Sequence, residues 1–312
     1  MSSGRTPAVS VTIVLHNSEQ GLVDCIRSIR AELDAAFAEL IPVDNASPDG
    51  SVAVIEREAP TAQIVRSADN RGFAAGANLA WPHVRGLYWV LLNPDVVLDP
   101  GGLRELAAWM DAHPRIGVAS ADIRREDGSG PHAAGRALPT TWRRLLEASR
   151  LHLLLPRGLR GRILRGAYWT GGDQLDAGWV PGTAMIARRD AVEAVGLLNE
   201  NFFLYGEDIE WCWRMRRRGW AVGVCSRVEA RHRESSSASE TLGEPETRAR
   251  MVAGEIAAVA SARGQPYARR YARATAFGFW LEAINPRRTR RDRLTARAAA
   301  AAWRAAFGEQ SR

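Results

Sequence analysis

The stretch Leu204–Arg214, LYGEDIEWCWR, places three carboxylates, Glu207, Asp208 and Glu210, among Tyr205, Ile209, Trp211 and Trp213. Acids favour the first turn of a helix, where a capping side chain contributes about 1 kcal/mol. That explains an acid but not the Phe202-Phe203-Leu204-Tyr205 run before it. An aromatic wall beside a carboxyl excludes water and raises its basicity, which a general base requires. Asp208, with Glu207 beside it, is the candidate catalytic base, and Tyr205, Trp211 and Trp179 are candidate acceptor contacts. Glu210 stands four residues before Arg214, the spacing of an ion pair on a helix surface.

A second set of polar residues falls at the ends of apolar runs. LLNPDVVLDP puts Asn93-Pro94-Asp95 after a strand-like segment. A carboxylate there suits a divalent cation that also grips a diphosphate, and a single carboxylate holds such a cation weakly unless the diphosphate binds with it. Asp44-Asn45 closes another apolar run, and its carboxylate can accept the imide N–H of uracil or thymine. Asn70-Arg71-Gly72-Phe73-Ala74-Ala75-Gly76-Ala77-Asn78 has neither the Walker nor the dinucleotide spacing. Its glycines allow close backbone approach to an anion at a helix start, and Arg71 can pair with phosphate. Asn17 ends the first run, and His232 sits between Arg231 and Arg233 after the last strand-like segment.

The elements that must position these residues alternate. Val9–Leu15 is nearly continuously apolar, as in a strand buried on both faces. Leu22, Ile26, Ile29, Leu33, Phe37 and Leu40 carry helical spacing over Glu19–Leu40. Ile41–Val43 reads as a short strand in which Pro42 is awkward away from an edge. Ser51–Glu58 reads as helix, Gln63–Arg66 as strand, Asn70–Trp81 as helix and Leu87–Leu92 as strand. This βαβαβ order predicts an α/β, Rossmann-like, mostly parallel central sheet with flanking helices. Ligands bind beyond the carboxyl ends of such strands, where Asn17, Asp44 and Asn93–Asp95 converge. Further on, Arg143–Arg165 reads as an amphipathic or loop-rich insertion, Trp179–Arg188 and Val222–Cys225 as strands, and the segment from Glu207 as a helix stopping at Gly219. From Glu246 the chain is helical, rich in Ala and Arg.

The 312 residues carry a net charge of +7, which points to an anionic partner such as a phosphate-bearing substrate or anionic lipid. All 42 basic positions are Arg, a bias assigned to genome composition. No recognised module presents those arginines to nucleic acid. Cys25, Cys212 and Cys225 are too few and scattered for a disulfide framework and are expected as buried free thiols. No apolar run approaches the ~20 residues of a spanning helix, and no signal region precedes the first strand. The expected location is cytoplasmic, with peripheral contact between the basic Tyr267–Arg304 region, which includes Trp280 and Trp303, and the inner face of an anionic membrane. Oligomeric state is left open, a dimer included.

Taken in register, VSVTIVLHNS, VDNASPDGS, NRGFAAGAN, LLNPDVVLDPGGL, VPGTAMIARRDA and FFLYGEDIEWCWRMRRRGW resemble the inverting family 2 glycosyltransferases of the GT-A fold. Their look is that of the bacterial rhamnosyltransferase-like branch, over roughly Val9 to Arg233. The resemblance implies a GT-A unit over residues 1–233, with a nucleotide-sugar half to about 100 and an acceptor half beyond, followed by a basic helical extension over 234–312. It implies Asp44 on the base of a UDP- or dTDP-sugar, with Asn17, Asn45, Asn70, Arg71, Asn78 and Asn93 around the donor. It implies Asp95 and His232 on Mg2+ or Mn2+, and Asp208 as base towards an acceptor hydroxyl on a glycan, lipid-linked or secondary-metabolite acceptor. Asn93, Asn199 and Glu210-Trp211 depart from the commoner family pattern. A nucleotidyltransferase, or a basic binding protein on the same fold, is the alternative expectation.

Overall fold

The computed structural model describes residues 6–127, 135–169, 172–233 and 244–284; the Ser235–Thr241 stretch and the tail beyond 284, Trp303 included, lie outside them. Eight strands form one sheet: β1 (Val9–Leu15), β2 (Ala38–Asp44), β3 (Val65–Arg66), β4 (Tyr88–Leu92), β5 (Val96–Leu98), β6 (Ile116–Arg125), β7 (Ala184–Arg188) and β8 (Ala221–His232). Their order is β3-β2-β1-β4-β7-β6-β8-β5. The first four are parallel to one another and so are β6 and β8, whereas β7 runs antiparallel to both β4 and β6, and β5 antiparallel to β8. The sheet is therefore a parallel nucleotide-binding-like half joined through one reversed strand to a mixed half. Val9, Val11, Ile13 and Leu15 are all wholly buried, as expected of a strand covered on both faces.

Helices α1 (Glu19–Ser28), α2 (Arg30–Asp34), α3 (Ser51–Glu58), α4 (Gly72–Ala80) and α5 (Gly102–Ala112) flank the first half. The helix expected over Glu19–Leu40 is shorter than its spacing implies. Ala36 takes a left-handed φ of 52°, which ends the helical path, and β2 begins at Ala38. Leu40 belongs to that strand and fills the core from it. Pro42 lies inside β2, but β3 pairs with β2 only at Val43 and Asp44, so one flank of the proline has no neighbouring strand. The strand expected over Val222–Cys225 runs on to His232, which is its last residue and lies opposite Val96 in β5.

The second half carries α6 (Thr141–Ala148), α7 (Arg157–Leu164), α8 (Arg189–Val195) and α9 (Glu207–Arg217). Two further helices follow: α10 (Glu244–Arg263) packs on α9, and α11 (Gln265–Ile284) packs on α10 and α6. Phe202, Ile209 and Trp213 pack with Val252, Ile256, Val259, Tyr271 and Phe279 in a second apolar core. Cys25, Cys212 and Cys225 are free and buried. No helix among the described residues is long and apolar enough to cross a membrane.

Trp211 corrects an expectation. It is wholly buried, donates from Nε1 to the Gly196 carbonyl at 2.8 Å and meets Trp89 edge-on at 6.1 Å. It joins α9 to the main core and presents no surface to an acceptor. Trp211→Ala should destabilise the fold by about 3–5 kcal/mol, the usual cost of emptying a tryptophan site. Urea unfolding of the purified variant checks this.

Candidate active site

The acid pair opens α9, and the chain enters that helix through a constrained turn. Tyr205 has φ 70° and Gly206 φ 97°. A left-handed tyrosine is uncommon and persists only where its surroundings hold it. Those surroundings are two backbone approaches. Phe73 N–H donates to the Phe203 carbonyl at 2.9 Å, and Gly72, with φ 85°, lies so close to Phe203 that a methyl there would overlap its backbone. On the other side Gly254 of α10 abuts the Tyr205 carbonyl and Gly206, again leaving no room for a methyl.

Asp208 accepts from the backbone N–H of Gly182 at 3.3 Å and of Ile209 at 2.8 Å. Burial raises its carboxyl above the usual aspartate value. Those two N–H groups and the charge of Arg136 pull in the other direction without cancelling the rise. Glu207 is more enclosed, with one carboxylate oxygen, Oε2, lacking any hydrogen-bond partner among the described residues. Burial, and then the charge of Asp208, push its carboxyl well up. The pair divides by environment, Asp208 being the better solvated and the more readily ionised. Tyr205 is half-buried, its phenol also pushed up by burial and by Glu207. Glu210 forms the expected pair with Arg214 at 2.9 Å.

Asp95 and His232 meet across β5 and β8, with His232 Nε2 3.2 Å from Asp95 Oδ1. That nitrogen is buried and in no hydrogen bond among the described residues, so its lone pair or proton has no aligned partner. An imidazole and a carboxylate converging in this way fit a divalent cation. No group of three or more protein donors surrounds such a site among the described residues. The remaining ligands would have to come from a bound anion and water. Asn93 hydrogen-bonds through its backbone to the Thr183 carbonyl at 2.9 Å.

The other expected donor residues separate into two groups. Asp44 is buried at the end of β2, accepting from Ser47 N–H at 2.9 Å and from Arg66 at 3.2 Å. Arg71 is exposed and pairs with Glu200 at 2.9 Å, and Asn17 is exposed with φ 51° and donates from its backbone to Ser47 Oγ. Asp44 would have to give up Arg66 to a ligand, and Arg71 and Asn17 remain open to one. Asn45 and Asn78 do not. Asn45 donates to Asn70 Oδ1 and the Gly72 carbonyl and accepts from Arg71 N–H, so its amide is fully engaged in shaping the 70–72 turn. Asn70 completes that turn by accepting from Gly72 N–H. Asn78 binds Leu198 N–H and its carbonyl and reaches Glu200, pinning α4 to the 198–200 loop. Both asparagines are structural ties, correcting their assignment to the donor.

Reading the sequence missed Arg66, Glu200, Gly182 and Arg136. Gly182 lies in VPGTAM, where its flanking apolar residues signal only a strand entry. Arg136 lies in an irregular segment bridging Arg165 and Trp179, and its guanidinium stacks over Trp179 at 5.4 Å.

The family model for glycosyl transferase family 2 matches residues 10–162, the part of the chain that holds Asp44, Arg71, Asn93 and Asp95. Those residues make a family 2 glycosyltransferase domain. It is 26% identical over 243 residues to an N-acetylglucosaminyl-diphospho-decaprenol L-rhamnosyltransferase of Mycobacterium tuberculosis, covering 74% of this chain and 78% of the relative. It is 24% identical over 230 residues to a low-salt glycan biosynthesis hexosyltransferase of Haloferax volcanii, covering 72% and 67%. Among solved structures it resembles a mannosyltransferase of Pyrobaculum calidifontis in complex with GDP-Man and Mn2+, at a TM-score of 0.53 and 20% identity over 97% of this chain and 76% of the other. That likeness shows the GT-A fold.

Two outcomes test this transferase's acid pair. Glu207 binds its proton more tightly folded than unfolded, so the native state holds more protons and stability falls as pH rises above about 4, the ordinary glutamate range, towards neutrality. Glu207→Gln should flatten that decline, read as melting temperature against pH. Gly254→Ala should displace the Tyr205–Gly206 turn, lowering both the melting temperature and kcat by a measurable margin.

Proposed function

We propose that this protein transfers a sugar from a nucleoside-diphosphate sugar to an acceptor hydroxyl with inversion at the anomeric carbon. The observation that carries this reading is a two-residue link: Gly182 N–H holds the Asp208 carboxylate, and the adjoining Thr183 carbonyl accepts from Asn93 N–H, two residues before Asp95. The base and the carboxylate–imidazole pair are thus anchored to one segment leading into β7. Asp208 takes the proton of the acceptor hydroxyl, whose oxygen attacks the anomeric carbon. The bond from that carbon to the diphosphate breaks on the opposite face, and one displacement inverts the centre.

Asp95 and His232 would hold Mg2+ or Mn2+, which when bound supplies positive charge to the leaving diphosphate. Arg71 adds to that charge by exchanging Glu200 for phosphate oxygen. Asp44 and Arg66 would face the nucleobase, with Asn17 at the same strand ends. We assign the donor half to about residue 100, the acceptor half to 101–233 and an extension to 234–312, helical over its described residues 244–284. Trp179 and Tyr205 supply the acceptor wall. By similarity to the rhamnosyltransferase, dTDP-rhamnose is the first donor to assay, with UDP-sugars next, and the acceptor class is a lipid-linked glycan of cell-wall or polysaccharide biosynthesis. Such an acceptor would place the protein at the inner face of the membrane.

Asp208→Asn should lower kcat by about 100-fold or more, the usual contribution of a general base, while the melting-temperature rise given by nucleotide persists. Full activity in that variant would sink the assignment. Wild-type kcat should fall on acidification with a midpoint above the ordinary aspartate value, because only ionised Asp208 accepts the proton. UDP or dTDP should stabilise the protein more with Mn2+ than with EDTA, and Asp95→Ala should erase the difference.

A further inference from the structure

Helices α6 and α11 lie side by side and run in the same direction. At their starts Thr141 N–H donates to Tyr267 Oη at 3.2 Å, and further along Arg144 Nε donates to Thr275 Oγ1 at 3.2 Å. At the end of α6, Ala148 is so near Gly278 that a methyl there would lie 3.1 Å from its Cβ. The inner face of α11 is buried, with Tyr271, Ala272, Thr275 and Phe279 in it. Its outer face is a stripe: Arg270, Arg273, Phe277, Trp280 and Ile284 recur at steps of three and four residues, and all five are exposed. Phe277 and Trp280 stack with ring centres 6.0 Å apart, and Trp280 is 56% exposed. The second half of α11 is thus apolar on both faces, although only one is covered.

The neighbouring segment behaves alike. Trp142 and Leu145, three residues apart on α6, are exposed. The turn Leu151–Leu154 begins three residues beyond the contact of Ala148 with Gly278, and it exposes Leu151, Leu153 and Leu154, the last at 81%. Single apolar residues on a surface are ordinary, whereas a run of them on adjoining elements marks a place of contact.

Charge decides what covers it. The only carboxylate between Thr141 and Leu164 is Glu147, and the only one in α11 is Glu282. Glu147 lies 3.8 Å from Arg144 and Glu282 bonds Arg248 at 2.7 Å, so each already faces a cation. On the same segments Arg150, Arg157, Arg162, Arg269, Arg270 and Arg273 are exposed, and none of the six is in an ion pair among the described residues. A second copy of the chain would set this cationic surface against itself, where like charges repel. A bilayer with anionic headgroups answers both features, since tryptophan and leucine enter the boundary of headgroups and acyl chains while arginine stays among the headgroups.

We propose that α6, the Leu151–Leu154 turn and α11 form one surface that lies on an anionic membrane. Reading the sequence attached such contact to the Tyr267–Arg304 region alone, and the structure sets a segment from far earlier in the chain beside it. The proposal goes beyond sugar transfer and does not depend on it, because the surface shares no residue with the acid pair or with Asp95 and His232.

The test is flotation of the full chain with phosphatidylcholine vesicles, with and without phosphatidylglycerol. Wild type should float with the anionic vesicles and far less with the neutral ones, and salt should weaken the binding. Phe277→Ser combined with Trp280→Ser should lower the partition coefficient by about tenfold or more, and so should Leu153→Ser combined with Leu154→Ser, because each pair removes apolar surface from the lipid boundary. The melting temperature of each variant is the control for folding. Equal flotation of wild type and both variants, or equal flotation with neutral and anionic vesicles, overturns the proposal. Loss confined to the α11 pair also overturns it, leaving the C-terminal helix to act alone. So does a dimer that the same substitutions dissociate in a protein that no vesicle carries, which would assign the face to a second copy. The nucleotide-induced melting rise reads the transferase proposal separately: its absence in a protein that floats as expected removes that reading and keeps the surface, and its presence in a protein that does not float does the reverse.

Discussion

The geometry of the site depends on one clamped turn. The Phe203–Gly206 segment is gripped by Gly72, at the start of α4, and by Gly254, near the middle of α10. Neither contact uses a side chain. Both are approaches of backbone to backbone that only glycine permits. The clamp forces Tyr205 into a left-handed conformation and aims the first turn of α9 at the segment entering β7. Donor-half loop, acid-bearing loop and C-terminal helix are therefore one mechanical unit. A movement of α10 is transmitted to Asp208 through two peptide groups, with no flexible side chain between to absorb it. This ties α10 to the acid-bearing turn through backbone alone.

Burial then sorts the two acids. A carboxyl in a low-dielectric site ionises reluctantly, and two adjacent ones ionise in succession. Asp208 has two N–H donors and a nearby guanidinium to support its charge, and Glu207 has an oxygen with no described partner. The more supported group carries the negative charge. The less supported one stays protonated over a wider range and spares Asp208 a second negative neighbour. The aromatic residues that seemed at odds with acids in the sequence create that difference by excluding water.

The fold was legible where a residue's job is to be apolar. The alternating strands, α3, α4 and the acid-bearing helix are visible because buried periodicity is a local pattern. The over-long helix across Glu19–Leu40 shows the limit: Leu40 satisfies a helical period and a strand core equally, and only Ala36, an ordinary residue in an unusual conformation, decides between them. Site residues were legible by type but not by engagement. Asp208 lies at the start of α9, and Asp95 and His232 meet beside β5 and at the end of β8, since strand ends and helix starts are where polar groups reach a crevice. Asn45 and Asn78 look the same in sequence, yet their amides close internal hydrogen bonds whose partners lie up to 122 residues away in the chain. Trp211 misled for a similar reason, as an aromatic next to an acid reads as a binding wall until the opposite face of the helix is known to be covered.

The charge of the protein follows a division that composition conceals. In the donor half the arginines are matched: Arg27, Arg30 and Arg57 share Glu58, Arg66 has Asp44, Arg71 has Glu200 and Arg85 has Glu39. Exposed pairs of this kind exchange partners at little cost, which suits a site that must admit and release a diphosphate. Around α6 and α7, Arg143 and Arg165 also lie against Trp142 and Trp169, with Asp176 3.8 Å from Arg165. A ring face stabilises a guanidinium while leaving its N–H edge free to bond.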